Sequence, residues 1–205
     1  MEERQVKIHL GCGQIYLDPA DDWTNIDIAI PGYSFLAKDR PDLVQSNRTT
    51  LDRYYAHPYR RDAIVTDRLC VADVFMDARS LEIPSNSVEE ILVVQLLEHF
   101  SRVEAADALI EWYRVLQPGG RLVVDTPKLD GLMLEFLAEK SENRREYYYR
   151  MIFGSQKNAG AYHKDGYTLA KLSELMQSVG FEGIRDLGNP LGHPYPALTV
   201  EGRKL

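Results

Sequence analysis

Two glycines and an aspartate are the first groups along this chain with recognisable chemistry. Val6-Lys7-Ile8-His9-Leu10 runs straight into Gly11-Cys12-Gly13, and a second apolar run, Thr24-Asn25-Ile26, ends in Asp27-Ile28. Glycine lets a backbone come close to a ligand, and an acid at the next strand end can accept both hydroxyls of a ribose. Leu10, Gly11, Cys12, Gly13, Asp27 and Ile28 are therefore read as one edge of a nucleoside-type ligand. A G-x-G pair alone is weak, since many strands end in a glycine turn. Its place directly after a buried strand and ahead of Asp27 favours the ligand loop. Cys12 itself is read as a small packing residue, because no group beside it in sequence would activate its thiol. Farther on, Gln95 and Leu96 follow the apolar run Ile91-Leu92-Val93-Val94, at the kind of strand end where open α/β sheets bind ligands. Glu98-His99 and His163 then offer imidazoles that could orient a substrate or accept a proton.

Positioning these groups requires strands that end together. Residues 6–10 and about 24–28 read as the first two strands, and Val71–Phe75 as a third. The run 91–94 is continuous and β-branched, as in a strand buried on both faces. Arg121-Leu122-Val123-Val124-Asp125 reads the same way. Asp27 comes only sixteen residues after Gly11, so Gln14–Asp22 is expected to form a loop or a short helix. Ser101-Arg102-Val103-Glu104 matches a capping box. The helix it opens is expected to bury Val103, Ala106, Ile110 and Tyr113 and to stop at Gln117-Pro118-Gly119-Gly120. Leu129–Ala138 and Ser141–Tyr149 read as helices. Leu169, Leu172, Leu175, Met176 and Val179 define another, closed by Gly180. Phe181–Leu187 and Ala197–Lys204 read as strands joined by a breaker-rich link, too short for a crossover helix, so they are expected to pair antiparallel. The fold class is α/β: a Rossmann-like, mostly parallel seven-stranded sheet with helices on both faces and a C-terminal antiparallel hairpin.

Composition is consistent with one domain over residues 1–205, interrupted by a polar insertion or lid at about 31–70. The chain is 44% hydrophobic and 27% charged, with formal charge −7, which argues against broad phosphate-backbone binding and so against nucleic acid. Two cysteines make neither a disulfide framework nor a zinc motif. No acid and histidine spacing matches a metal site, so no metal ligand is assigned. With neither a secretory signal nor a membrane-length apolar run, a cytoplasmic location and no membrane partner are expected. In Arg144-Arg145-Glu146-Tyr147-Tyr148-Tyr149-Arg150, neighbouring acids offset the arginines, and a solvated helix or oligomer face is the preferred reading over nucleic-acid binding. A monomer or homodimer is expected.

The ordered set of motifs resembles the class I S-adenosylmethionine-dependent methyltransferases. Leu10-Gly11-Cys12-Gly13 looks like the first family motif, and Asp27 like the acid that ends the second strand. Asp77-Ala78-Arg79-Ser80-Leu81-Glu82-Ile83-Pro84 resembles the stretch that meets the adenine. Ser87-Val88-Glu89-Glu90-Ile91, Leu97-Glu98-His99-Phe100, and Tyr113 to Leu122 with its Gln117-Pro118-Gly119-Gly120 follow in family order. Within the family, the chain is similar to small methyltransferases with a shortened first loop, some of them associated with surface glycans. The resemblance implies S-adenosyl-L-methionine as cofactor, with the glycine loop toward its methionine part. Asp77 and Ala78 then become adenine contacts, with Asp73 the rival, which could instead cap or face solvent.

Under that resemblance the protein positions donor and acceptor and removes a proton from the acceptor. An oxygen acceptor on a sugar, a glycan precursor or a related small metabolite is favoured over nitrogen because His163 and His99 fall in acceptor-side segments. His163 belongs to the polar, glycine-punctuated stretch Phe153–Tyr167, which could equally be a hydrated connector. Two other classes stay open at this point: a non-catalytic S-adenosylmethionine-binding protein, and an NAD-dependent oxidoreductase. The latter is disfavoured because Tyr16 stands where a third dinucleotide glycine belongs.

Overall fold

The computed structural model describes residues 6–49, 69–156 and 160–205. The tract Tyr54–Arg61 inside the expected insertion lies outside them. The main sheet has seven strands: β1 (Lys7–Leu10), β3 (Trp23–Asp27), β7 (Val74–Phe75), β8 (Val88–Val94), β9 (Leu116–Pro127), β10 (Glu182–Gly188) and β11 (Ala197–Arg203). Their order is β10-β11-β9-β8-β1-β3-β7. β1 pairs parallel with both β3 and β8, and β8 with β9. β11 lies antiparallel between β9 and β10. The strand order therefore reverses at β1, and the ends of β1, β3 and β8 open onto one crevice, the position where such sheets bind ligands.

The sheet's larger core covers one face. Ile8, Leu10, Ile91, Val93, Leu122 and Val124 alternate onto that face beneath the helices α2 (Arg102–Val115) and α5 (Leu169–Val179). Helix α2 opens with the expected capping box: Ser101 Oγ accepts from Glu104 N at 3.4 Å and Glu104 accepts from Ser101 N at 2.8 Å. Its buried stripe differs from the expected one. Ala105, Ala108, Leu109, Trp112 and Val115 face the sheet, while Val103 is 72% exposed and Ile110 56%. The small alanines admit close approach to the strands. Trp112 fits because its indole N–H reaches Ala78 O at 2.8 Å, which satisfies a buried donor.

The opposite face is thinner near β1. The β1–β3 connector holds only β2 (Tyr16–Leu17) and a 3-10 turn at Pro19–Asp21. Leu17 and Trp23 pack there against Leu92, Val94, Val123 and Leu191. Asn25 replaces a missing helix's hydrogen bonds: its amide accepts from Leu17 N and donates to Leu17 O, both at 2.8 Å. On the same face His9 is buried beside Asn25, and burial holds its pKa down to about 4.

Three other expectations change. The third strand divides: β6 (Cys70–Ala72) joins β4 (Ser34–Leu36) in a separate two-stranded sheet, and only β7 enters the main one. Between β4 and the undescribed residues lie helix α1 (Pro41–Asn47) and strand β5 (Arg48–Thr49), which pairs with β2. Helix α2 stops at Val115, just ahead of Gln117-Pro118-Gly119-Gly120, but β9 begins at once at Leu116, earlier than the expected Arg121, and takes these residues within its bounds. Helix α3 (Leu129–Ala138) is followed by α4 (Glu142–Phe153), which runs four residues beyond Tyr149.

Candidate functional site

At the end of β1 the backbone turns through Gly11, with φ of +66°; a Cβ added there would stand 3.0 Å from Leu96 Cδ2. Only glycine meets both demands, the left-handed backbone and the close approach. Gly11 N and Cys12 N both donate to Ile26 O, at 2.9 and 3.2 Å, which ties the loop to β3. Asp27 completes the tie. Its Oδ2 accepts from Gly13 N at 2.7 Å and its Oδ1 from Ile28 N at 2.7 Å. A carboxylate has about four lone-pair sites, so Asp27 retains capacity for further donors. The Cys70 thiol points at Asp27 Oδ2 from 3.4 Å, and Cys12 donates to Val71 O. Burial first, then Cys70 and Asp27, push the Cys12 thiol well up, so it is a protonated packing group.

The two candidates near β7 have different surroundings. Asp73 is half-buried and committed to its neighbours: it accepts from Asn25 N at 2.8 Å, from Asn25 Nδ2 at 3.1 Å and from the Tyr16 hydroxyl. It locks the connector to β3. Asp77 is half-exposed and is gripped by Arg79, Nη2 at 2.6 Å and Nε at 2.9 Å. That guanidinium holds the Asp77 carboxyl below its ordinary range, and itself also bonds Glu104. Ala78 is buried, its carbonyl taken by Trp112.

The end of β8 carries backbone strain. Gln95 adopts φ of +52°, a conformation uncommon for residues other than glycine and concentrated at ligand sites. Its amide N–H donates to Asp125 O at 2.9 Å and its side chain to Asp125 Oδ1 at 2.8 Å. Asp125, fully buried at the end of β9, also accepts from His193 Nε2 at 2.9 Å and Thr199 Oγ1 at 2.6 Å. His193 stacks on Tyr195, centroids 4.9 Å apart. The hairpin link thus anchors Gln95 and Tyr195 through one carboxylate.

Beyond Gln95 and Gln14 opens a cavity of about 660 Å³. Its lining includes Glu98, His99 and His163, the rings of Tyr147, Tyr148 and Tyr195, and the guanidinium-bearing Arg144 and Arg150. His99 and His163 meet edge to face with centroids 4.7 Å apart. His99 Nδ1 lies 3.0 Å from Tyr162 O, and His163 Nδ1 lies 2.9 Å from Met151 O. A carbonyl oxygen only accepts, so each Nδ1 carries the hydrogen and each neutral ring keeps its lone pair on Nε2. Burial lowers both pKa values, to about 4 for His163, where the His99 ring adds to the effect. Glu98 is fully buried and accepts from Thr126 Oγ1 at 3.1 Å; burial raises its pKa to about 8.

The sequence candidates therefore fall into two groups. Gly13, Asp27 and Ile28 are joined by hydrogen bonds, Gly11 and Cys12 are tied to Ile26 O, and Leu96 closes on Gly11. Gln95, His99 and His163 share the cavity wall, which does not include Asp27, Asp77 or Ala78. Sequence reasoning missed Asp125, Glu98 and the inner face of α4. The solvated-helix reading of 144–150 holds for exposed Glu146 and Tyr149, but its other face contributes: Arg144, Tyr147, Tyr148 and Met151 line the cavity. Their i, i+3, i+4, i+7 spacing is the signal that marks one helical face.

Residues 53–124 match the family model of a methyltransferase domain. No curated protein sequence matches the chain. Similar solved structures include an S-adenosylmethionine-dependent methyltransferase from Thermotoga maritima, at 15% identity and a TM-score of 0.52, covering 98% of this chain and 82% of that one. The 1,6-didemethyltoxoflavin-N1-methyltransferase of Burkholderia thailandensis, solved with that substrate and S-adenosylhomocysteine, gives 15% identity and a TM-score of 0.54, covering 98% and 72%. A methyltransferase from Archaeoglobus fulgidus gives 10% and 0.54, covering 98% and 86%. Against some longer matched chains this one spans about half their length, down to 47%. At such identities these structures establish a shared fold. Among the described residues no helix is long and apolar enough to cross a membrane.

Proposed function

We propose that this chain, a class I S-adenosylmethionine-dependent methyltransferase, methylates an oxygen of a small polar acceptor, a sugar or related metabolite, held in the cavity beyond Gln95. The match of residues 53–124 to a methyltransferase domain supports this reading over the dinucleotide oxidoreductase and the non-catalytic protein. The bound cofactor supplies an electrophilic sulfonium methyl group. The glycine loop and Asp27 suit its methionine and ribose parts, since Gly11 leaves no Cβ in the crevice and Asp27 retains acceptor sites. Asp77 and Ala78 suit the adenine, with Arg79 the group that would yield part of the Asp77 carboxylate.

The observation that carries the oxygen reading is the imidazole pair. An alcohol oxygen becomes a good nucleophile only as its proton leaves, so a proton-accepting group must stand beside it. His163 and His99 each present an Nε2 lone pair with Nδ1 committed to a carbonyl. Tyr147, Tyr148 and Tyr195 line the cavity with aromatic surface on which a polar ring could stack, and about 660 Å³ is within the usual range for small-molecule pockets. The test is transfer of labelled methyl from S-adenosylmethionine across a panel of sugars, nucleotide sugars and matched amines. Hydroxyl acceptors should turn over, and His163→Ala and His99→Ala should each lower the rate by roughly 100-fold or more. Methylation of amines alone, or full turnover in both variants, would refute the oxygen reading.

A further inference from the structure

Glu98, His99 and His163 come from two places in the chain, the short turn after β8 and the loop after α4, yet each can offer one ligand atom such that all lie within 4.8 Å of one another. Glu98 Oε1 is buried and has no hydrogen-bond partner among the described residues. An ionised carboxylate left in that condition is costly, by several kcal/mol. Each imidazole is oriented by an Nδ1–H···O=C bond, at 3.0 Å for His99 and 2.9 Å for His163. That is how ligating histidines are held, with the tautomer fixed and Nε2 turned to the ion.

We propose that Glu98, His99 and His163 form a binding site for a divalent transition-metal cation in the wall of the acceptor cavity. Two imidazoles and one carboxylate suit zinc, manganese, cobalt or ferrous iron better than magnesium or calcium, which favour all-oxygen shells. Three protein ligands leave coordination positions open toward the cavity. A shell of about 2.1 Å radius is at most about 4.2 Å across, so ligand atoms already within 4.8 Å of one another need only small side-chain adjustments to close on an ion. The other sulfur and carboxylate cluster, Cys12, Asp27 and Cys70, is a poorer candidate. There both carboxylate oxygens already accept backbone N–H bonds and the Cys12 thiol already donates.

The site deepens the oxygen-acceptor reading and rests on it for its role, not for its existence. An acceptor hydroxyl bound at an open position releases its proton to water more readily. Its oxygen then bonds to the methyl carbon as the carbon–sulfur bond breaks, and that electron pair stays on sulfur. In this arrangement His99 and His163 act as ligands in place of a free base.

The experiment titrates chelator-stripped full-length protein with zinc and manganese by calorimetry, and with cobalt by visible absorption, in the absence of cofactor and acceptor. One ion per chain is expected, with a cobalt spectrum of nitrogen and oxygen ligation. Glu98→Gln, His99→Ala and His163→Ala should each weaken it by more than about 100-fold, the upper end of the loss seen for outer-shell partners alone. Circular dichroism checks that each variant is folded, and any one folded variant decides the point. Cys12→Ala should bind as the parent does. No saturable ion, binding that survives in all three variants, or binding lost only in Cys12→Ala would overturn the site. A bound ion together with amine-only methylation would instead refute the oxygen reading and leave the site standing.

Discussion

Replacing Gly11 by alanine tests whether the loop after β1 is built around a missing side chain. Two costs can be separated. Alanine at φ +66° costs about 1–2 kcal/mol, because its Cβ crowds the carbonyl that follows. The same Cβ, 3.0 Å from Leu96 Cδ2 and 3.1 Å from Leu96 Cβ and Cδ1, overpacks a well-filled contact at a cost of about 1–3 kcal/mol. Gly11→Ala should therefore lose about 2–5 kcal/mol, which for a chain of this length lowers Tm by roughly 4–20 °C. Leu96→Ala removes most of the second cost and none of the first. Chemical denaturation of both single variants and the double variant gives the coupling energy. The double variant should be more stable than the sum of the singles by about 1–3 kcal/mol, leaving it about 1–2 kcal/mol below Leu96→Ala alone. Calorimetry on the same proteins should show that S-adenosylmethionine affinity falls in Gly11→Ala. Strict additivity, or a Gly11→Ala protein as stable as its parent, would refute the close-approach argument.

Asp27→Ala removes an acceptor from Gly13 N and Ile28 N as well as from the proposed ribose; it should weaken cofactor binding at least tenfold and cost about 1–3 kcal/mol of stability, and unchanged calorimetric affinity would remove Asp27 from the site. His9 should make the protein acid-sensitive. Its folded pKa of about 4 lies below the unfolded value of about 6.5. Its contribution is therefore whole above pH 6.5 and is lost as pH falls toward 4, by about 3 kcal/mol in all. Denaturation curves for the parent and His9→Gln across that window should diverge in slope by this amount, and parallel curves would show that His9 does not titrate with unfolding.

Most of the architecture was legible because its causes are local. The short apolar runs at 91–94 and 122–124 have the pattern of strands buried on both faces. Ser101 and Glu104 cap a helix through atoms three residues apart, and the breakers between Leu187 and Ala197 forbid a crossover. The helix stripe on α2 was misjudged because several registers of that segment are apolar. Which one faces inward was decided by the shapes of Ala105, Ala108 and Trp112 against the sheet. The division of 70–75 between two sheets followed from pairing with Ser34–Leu36, a partner that local pattern cannot name.

The sequence by itself determined a class I methyltransferase fold and the loop and acid that suit its cofactor, since these lie at strand ends a few residues from the signals that announce them. The tertiary structure alone decided what lines the cavity beyond Gln95. Glu98 and His99 precede His163 by more than sixty residues, and Asp125 meets His193 across a hairpin. Helix α4 turns Tyr147 and Tyr148 inward although its composition reads as solvated. Such groups converge only when the strands assemble, because their neighbours in space are set by sheet order and packing and not by chain distance.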